Sequence, residues 1–486
     1  MQGADNTLTH QQVDRAGVRM PRGRTLNVAL ATWVLGACAV SPPPSRETIR
    51  HDALGGMSLD QAWKAASAGS QELVQDDWLR SFNDPALDQL VREALANNPD
   101  LRVAAARVEQ AGQYLIMAQS ALRPSIGLFG TGGTKTGGGG DAMSALQAIV
   151  LAVSWELDLW GRLRYARNAS QEDFASARAD LEFARQSLAA TTAKAWFAAT
   201  QLTLHAEIAG EMAQAADRLH FLAQEREKVG VGIDSETAIA RANARETQST
   251  RAQAELARDQ ALRALELLVG RYPAAEVEAR AELLALPASI ATGIPLQMLE
   301  RRPDVIAAER RVAAAFNRVG EAKAARLPQI SLSLNGGAFD SEILDLKEDY
   351  ENPSGGLGAR LLAPIYQGGA LTAKVQIRTL EQKEAVADYA RIALRAIGEV
   401  ESALAAASSL AIQAELLGES LAEQTRALEL METRYRVGRA DGRAVEQQRL
   451  NLQTARLALL NVRSDELVER VNLHLALGGS FAAPGT

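Results

Sequence analysis

NNPDLRVAAARVEQAGQYLIMAQSALRPSIGLFGTGG, residues 97–133, aligns without a gap on RRPDVIAAERRVAAAFNRVGEAKAARLPQISLSLNGG, residues 301–337. At this offset Pro99 falls on Pro303, Asp100 on Asp304, Val108 on Val312, Pro124 on Pro328, Ile126 on Ile330 and Leu128 on Leu332, and the glycine pairs 132–133 and 336–337 coincide. Further along, Gly161 and Gly368, Val229 and Val437, and Gly270 and Gly478 keep nearly the same separation. Spacing held over such a length is the signature of an internal duplication. Each half reads in one order: helix, strand, loop, strand, very long helix, turn, helix.

The strand candidates alternate strictly. Ile149, Leu151, Val153, Trp155, Leu157 and Leu159 interleave with smaller or polar residues, as do Ile330, Leu332 and Leu334, and Ile126 and Leu128. Period two with one apolar face fits a half-buried sheet or the wall of a membrane barrel. A fourth strand, over 356–363, is glycine-rich and weaker. Four strands leave two open edges, which lipid does not tolerate. A ring of identical chains would close them, and three chains would give twelve strands. Trp155 and Tyr366 are candidates for an interfacial aromatic girdle, with external loops at 134–148 (containing Gly137 to Gly140) and 339–355.

Between Gly161 and Val229, and again between Gly368 and Val437, there is no proline. Each stretch would be a helix of roughly 100 Å. The first carries a heptad stripe of Phe174, Ala177, Leu181, Ala184, Leu188, Thr191, Ala195, Ala198 and Leu202. The second carries Ala393, Ala396, Val400, Ala403, Ala407, Leu410, Ala414, Leu417 and Leu421, then Leu428, Met431 and Tyr435. Alternating steps of three and four predict coiled-coil packing, and alanine seams allow close approach. The return helices, 235–269 and 443–477, can cover only half of each long helix. The pre-strand helices, 100–123 and 304–327, have about the length to cover the rest. A belt made of 58–96, the linker 271–303 and the C-terminus is expected where the short helices meet.

Composition narrows the function classes. The 486-residue chain is 47% apolar but only 5% aromatic, which favours long helices packed through small residues. A net charge of −7 leaves no electrostatic footprint for nucleic acid. The single cysteine, Cys38, excludes an intrachain disulfide and a cysteine metal cluster. After residue 40 no apolar run approaches the ~20 residues of a spanning helix, so a bilayer would have to be crossed as a β-barrel. The five histidines are scattered, with no HExxH or triad-like signature; His205 extends the coiled-coil seam. Residues 130–136, GTGGTKT, imitate a phosphate-binding loop, but Thr134 stands where glycine should precede Lys135, and glycines rather than a helix follow. An enzyme is not expected, nor a metal site, nor any cofactor.

At the N-terminus, Arg22 and Arg24, an apolar stretch from Leu26 to Leu35, and Gly36-Ala37-Cys38 have the anatomy of a secretion signal ending in a lipobox-like cysteine. Cys38 is the expected lipidation site, and Ala39 after it goes with outer-membrane sorting. Met20 is an alternative start, and Pro42-Pro43-Pro44 reads as an extended tether. The organisation is therefore 1–37 signal peptide, 38–57 lipidated tether, 58–270 first repeat, 271–303 equatorial linker, 304–479 second repeat and 480–486 tail. Strands are expected over 125–134, 148–158, 329–338 and 356–363, and long helices over 161–229, 235–269, 369–436 and 443–477.

SWELDLWGR, residues 154–162, resembles the strand-to-helix signature of the TolC-like outer-membrane efflux proteins, in their NodT/OprM-type lipoprotein branch. ERRPD at 300–304 resembles the family's opening of the second half, APIYQGG at 363–369 its counterpart of the first signature, and YRVG at 435–438 its periplasmic turn. The resemblance covers about residues 58–479. It implies a mainly α tandem-repeat protomer with four strands and long coiled-coil helices. As a homotrimer this gives a twelve-stranded transmembrane β-barrel and a periplasmic α-barrel. It also implies a lipid-anchored protein of the bacterial outer membrane. Such a protein docks with a periplasmic adaptor (membrane fusion) protein and an inner-membrane pump of the resistance-nodulation-division class, and passively conducts drugs or other small solutes outward. A protein-secretion duct and a soluble periplasmic coiled-coil scaffold remain the alternatives.

Function should concentrate at the two helix–turn–helix tips, 228–236 and 436–447, where copies in a ring would turn each side chain into a constriction. The tip candidates are Gly230, Gly232, Asp234 and Glu236 in the first half. In the second they are Tyr435, Gly438, Arg439, Asp441, Arg443, Glu446 and Gln447. Tyr435 matches the family's tyrosine by position; Gln447 stands where the family has an acid, and Ala440 where it has an arginine. The lipid-facing candidates are Ile126, Leu128, Leu151, Val153, Trp155, Leu157, Ile330, Leu332 and Leu334.

Overall fold

The structure, a computed structural model, describes residues 40–55, 57–65, 76–132, 146–288, 290–341 and 354–481. The signal segment, Cys38, Gly133, Gly137 to Gly140, the greater part of both expected external loops and the end of the tail lie outside the described residues. The described elements are, in order, α1 (Arg46–Leu54), a short 3-10 turn (Trp78–Phe82), α2 (Pro85–Asn97), α3 (Pro99–Ser120), β1 (Ser125–Thr131) and β2 (Leu146–Leu157). Then come α4 (Arg162–Lys228), α5 (Asp234–Leu268), α6 (Pro295–Arg301), α7 (Pro303–Ala324), β3 (Gln329–Ser341), β4 (Ser354–Leu362), α8 (Ala370–Arg436) and α9 (Gly442–Ala476).

The duplication reappears in the element lengths. Helices α3 and α7 both have 22 residues, α4 and α8 both 67, and α5 and α9 both 35. Residue pairs 204 apart therefore correspond in α3 and α7 (Pro99 with Pro303), and pairs 208 apart in the later helices (Arg162 with Ala370, Asp234 with Gly442).

Three short helices have no counterpart in the sequence expectations. Helix α1 occupies part of the segment expected as an extended tether, because the Ser45 hydroxyl caps its first turn by accepting the Thr48 N–H at 3.2 Å and Ile49 is buried. Helices α2 and α6 both start on a proline, Pro85 and Pro295, where the missing N–H costs nothing. A one- to three-turn helix is too short to show a period against its surroundings.

The chain divides into two compact units. One holds the strands, in Pro124–Tyr165 and Lys323–Tyr366 together with residues 40–42; the other holds the helices. In the strand unit the sheet is antiparallel throughout, in the order β1-β2-β3-β4.

The helical unit has two main cores. In one, Trp78, Phe82, Leu87, Trp196, Phe197, Leu265, Val269 and Val471 pack together, joined by Val277, Leu284 and Phe481. In the other, Ile49, Trp63, Met298, Val305 and Val312 pack on Tyr389, Ala393, Ala396 and Val400 of α8. The expected α8 stripe is the buried one over Ala393, Ala396, Val400, Ala403 and Ala414. The α4 stripe is displaced: Thr191 is exposed, and Ala189, Ala190, Ala193, Trp196 and Phe197 are buried instead. Helix α4 buries a broad face rather than a single seam, so its apolar residues do not single out one heptad.

Helix α8 also carries an 18-residue window of mean hydropathy 1.2, apolar enough by composition to cross a bilayer. This amends the expectation that no such run follows residue 40. The stretch is rich in alanine, and α8 packs lengthwise on α9.

Candidate functional site

The sheet register decides which side chains share a face. Antiparallel partners point to the same side, and Ile126 pairs with Val153, Leu128 with Leu151, Val153 with Leu334, Trp155 with Leu332 and Leu157 with Ile330. All nine candidates for an outward apolar surface therefore lie on one face. Leu357 and Leu361 of β4, opposite Leu334 and Ile330, extend it; they are 82% and 66% exposed. The sequence reading passed over them because the glycines of β4 blur the alternation. The opposite face carries Ser154, Ser333, Asn335, Glu156, Ser331 and Arg360, with Phe129, Val150 and Leu362, at its register positions.

Glu156, Asp158, Trp160, Gly161 and Arg162 of the 154–162 signature each have a local role. Glu156 and Arg162 form a two-pronged ion pair, with contacts of 2.7 and 2.9 Å. The Asp158 carboxylate accepts the Leu163 and Arg164 N–H groups at 2.9 and 3.0 Å and so caps α4. Trp160 donates its indole N–H to the Pro328 carbonyl at 2.6 Å. Gly161 adopts φ +77°, and a Cβ there would lie 2.7 Å from Val40 Cγ2. Beside it the Ser41 N–H donates to the Tyr165 hydroxyl at 3.0 Å. Tyr366, in the second half, is 87% exposed.

At the first tip, α4 ends by wrapping the turn around one carbonyl: Arg226 O accepts both the Val231 and the Gly232 N–H, at 3.0 and 2.9 Å. Gly230 has φ +76°, and a Cβ on Gly232 would sit 2.9 Å from the Glu227 nitrogen, so both positions require glycine. Val229, Val231 and Ile233 are left exposed. At the second tip Gly438 (φ +71°) closes α8, and the Asp441 carboxylate caps α9 by accepting the Arg443 N–H at 2.9 Å. That hydrogen bond, outweighing partial burial and aided by the Arg443 and Arg226 guanidinium groups, holds the Asp441 carboxyl below its ordinary range.

Four of the candidates are drawn into ion pairs that tie the second turn to the first half. Arg443 meets Asp441 at 3.0 Å and Glu236 at 3.4 Å, and Arg226 approaches Asp441 at 3.8 Å. One turn further on, Glu446 pairs with Arg218 at 2.9 Å and with Arg449 at 3.6 Å, and Arg449 continues to Glu432 at 2.8 Å. Arg218, Arg226, Arg449 and Glu432 were not singled out from sequence; in charged helices, pairing depends on which faces meet. Tyr435 lies against Gly442, where a Cβ would be 3.3 Å from its ring. Asp234 and Arg439 form no ion pair among the described residues, and Gln447 is exposed with a long contact to Asn451. Among the described residues no cluster of His, Cys, Asp and Glu could hold a metal ion. His205 is half-buried in α4, and burial lowers its pKa.

The profile of the family described as outer membrane efflux protein matches residues 90–271 and 294–479, one segment per repeat. The chain belongs to the outer membrane efflux protein family. This is a family of outer membrane transport channels rather than enzymes, and the present efflux protein is an outer membrane channel component. The pyoverdine export outer membrane protein OpmQ of Pseudomonas putida (strain KT2440) is 28% identical to it over 476 residues, covering 92% of this chain and 95% of OpmQ. The toluene efflux pump outer membrane protein TtgC, also of Pseudomonas putida, is 27% identical over 471 residues, 94% of this chain and 95% of TtgC. Among solved structures, the Campylobacter jejuni CmeC outer membrane channel shares 24% identity at a TM-score of 0.77, covering 92% of this chain and 95% of that one. The open state of the Neisseria gonorrhoeae MtrE outer membrane channel shares 23% at 0.76, covering 92% and 99%. At these identities the solved structures speak to fold.

Proposed function

We propose that this efflux protein is a homotrimeric, lipid-anchored exit duct that passively conducts drugs or other small solutes across the outer membrane. It receives them from a periplasmic adaptor and an inner-membrane pump of the resistance-nodulation-division class. The observation that carries the reading is a sheet whose edge strands, β1 and β4, have no partner strand among the described residues, and whose one face is continuously apolar. In lipid its open edges leave backbone groups unsatisfied, and in water its apolar face and free edges invite association. Three copies joined edge to edge make a closed barrel of twelve strands, with Ile126, Leu128, Leu151 and Leu334 toward lipid and the polar face toward the lumen.

The helical units form the periplasmic part of the duct, and the two turns form its constriction. Neither repeat performs chemistry; the partner pump supplies the energy. Domain limits follow the duplication, with one repeat over 58–270, an equatorial linker and a second repeat over 304–479. The anchor is Cys38. It finds support in Val40 and Ser41, which lie on Gly161 and Tyr165 directly after the barrel strand β2.

Outer-membrane fractions test the reading. An SDS-resistant oligomer that collapses to monomer on boiling, together with channels in planar bilayers, is expected. A soluble periplasmic monomer without conductance would refute it. Loss of radiolabelled palmitate incorporation in Cys38→Ser tests the anchor separately.

A further inference from the structure

Helices α3 and α7 are counterparts in the repeat, but their surroundings are unequal. Helix α7 is buried on both flanks. Val305, Ala308 and Val312 pack on α8, and the other flank lies on α4, where Arg311 pairs with Asp180 at 2.5 Å and the Ser176 hydroxyl donates to the Ala307 carbonyl at 3.1 Å. Helix α3 has no buried residue at all. One flank approaches α4, with Gly112 against the Phe174 ring. The other presents Val103, Arg107, Tyr114 and Met117 at helical spacing, and Val103, Tyr114 and Met117 are 51%, 53% and 63% exposed.

The duplication says what should cover that flank. Helix α7 lies on α4, the long helix before it, and among the described residues no long helix precedes α3. Moving the α7–α4 contact forward by one repeat places α3 against α8, the long helix of a second half. The correspondence reaches single residues. Arg311 maps to Arg107 and Asp180 maps to Asp388, so both members of the ion pair recur with their types unchanged. Ala307 and Ser176 map to Val103 and Glu384. Arg107 forms no ion pair among the described residues. Asp388 pairs with Arg391 on its own helix at 3.0 Å, with both side chains more than half exposed. Leu380, which would lie in the same contact, is 62% exposed.

We infer that a second copy of this chain lays its α8, through Leu380, Glu384 and Asp388, onto Val103, Arg107 and Tyr114 of α3, with Arg107 and Asp388 forming an ion pair between copies. The contact joins unlike surfaces, so it propagates around a ring instead of ending in a dimer. It rests on the proposal that the protein is a ring of identical chains, and it adds the helix pair and the residues that seal each seam.

The test uses the full-length protein in outer-membrane fractions. The double variant Val103→Cys with Glu384→Cys is oxidised with copper phenanthroline and run boiled, without reductant. The Ser176 hydroxyl reaches the Ala307 carbonyl at 3.1 Å, so the equivalent positions 384 and 103 are the pair to test between copies. A ladder of covalent dimer and trimer is expected, and neither single variant should give one. In parallel, Arg107→Glu and Asp388→Arg should each lower the temperature at which the SDS-resistant oligomer dissociates, and the combined charge swap should restore it. An oligomeric wild type without the ladder overturns this seam but leaves the ring standing. A ladder without rescue by the charge swap overturns the ion pair. A monomeric wild type overturns ring and seam together.

Discussion

Glu446 offers the most direct perturbation of the proposed constriction. Its carboxylate is 12% exposed and bridges Arg218 of α4 at 2.9 Å and Arg449 of α9 at 3.6 Å. Arg449 in turn holds Glu432 of α8. Glu446→Gln keeps the shape and removes the charge that the two arginines share. A hydrogen bond to a charged group contributes about 1.5–3 kcal/mol when sheltered, but Arg218 is 46% exposed, so water recovers much of that and about 1 kcal/mol per copy remains. If the three copies of a ring release together, about 3 kcal/mol is removed from the tied state, roughly a hundredfold in the equilibrium between tied and released tips. Planar-bilayer recording at low salt should show Glu446→Gln spending more time in conducting states than wild type. The difference should shrink in 1 M salt, where the Debye length falls from about 10 Å to about 3 Å. A double-mutant cycle with Arg218→Ala isolates the pair. Conductance equal to wild type at low salt, or strict additivity in the cycle, would show that this network does not hold the tip.

Asp234→Asn and Arg439→Gln remove charges that find no ion pair within the described residues of the chain, and each should raise conductance if copies pair them across the constriction; unchanged currents in both would take these residues out of the gate. Leu151→Arg places a charge on the apolar face, at a cost of about 2–4 kcal/mol near the bilayer midplane, so the yield of SDS-resistant oligomer should fall, whereas Ser154→Arg on the other face should assemble; equal yields would mean the faces are misassigned. Glu266 accepts the Ala275, Glu276 and Val277 N–H groups at 2.7, 2.7 and 3.2 Å. Burial alone would raise its pKa, but these bonds outweigh burial and hold it below the ordinary carboxylate value. Its stabilisation is therefore complete above the unfolded-state pKa and lost as pH falls through the lowered folded value. Glu266→Gln should expose the segment 271–288 to protease at neutral pH, and the gap to wild type should close in acid; a gap independent of pH would contradict the assignment.

The scaffold was legible because its signals are backbone signals. Glycines at 161, 230, 270, 368, 438 and 478 all take positive φ, and prolines 99 and 303 open α3 and α7; such residues mark turns and helix starts whatever surrounds them. Alternation in Ile126 to Leu128 and Leu151 to Leu157 likewise names a face without knowledge of its partner. The tip network was only half legible. Asp441 and Arg443 are neighbours in sequence, and a cap can be read locally, but Arg218 and Glu446 are 228 residues apart and meet only because α4 and α9 pack side by side. The unequal cover of α3 and α7 was invisible for the same reason: the two align without a gap, and cover depends on what each half has beside it.

Where the halves diverge, some positions keep their role with a changed residue and others take a new one. Asn98 and Arg302 occupy equivalent positions, and both donate to the C-terminal carbonyls of the return helix, to Leu268 at 3.2 Å and to Ala476 at 3.1 Å; the backbone lock is kept and the donor changes. Glu266 and His474 are equivalent as well. The first captures linker amides, while the second stacks on Trp78 at 5.5 Å, its pKa lowered to about 3 by burial and by Arg470, so it stays neutral at physiological pH. At the tips the pattern has a mechanical consequence. The positions equivalent to Asp441, Arg443 and Glu446 are Ile233, Ser235 and Ala238, all uncharged, whereas the arginines Arg218 and Arg226 recur as Arg426 and Arg434. The ionic ties within one chain thus have no acidic counterpart where, in the proposed ring, the second half of one copy would meet the first half of the next. Between copies the same arginines would have to find other acids, Asp234 being one at the first tip that forms no ion pair among the described residues, so a joint between chains is held by contacts different from those within one.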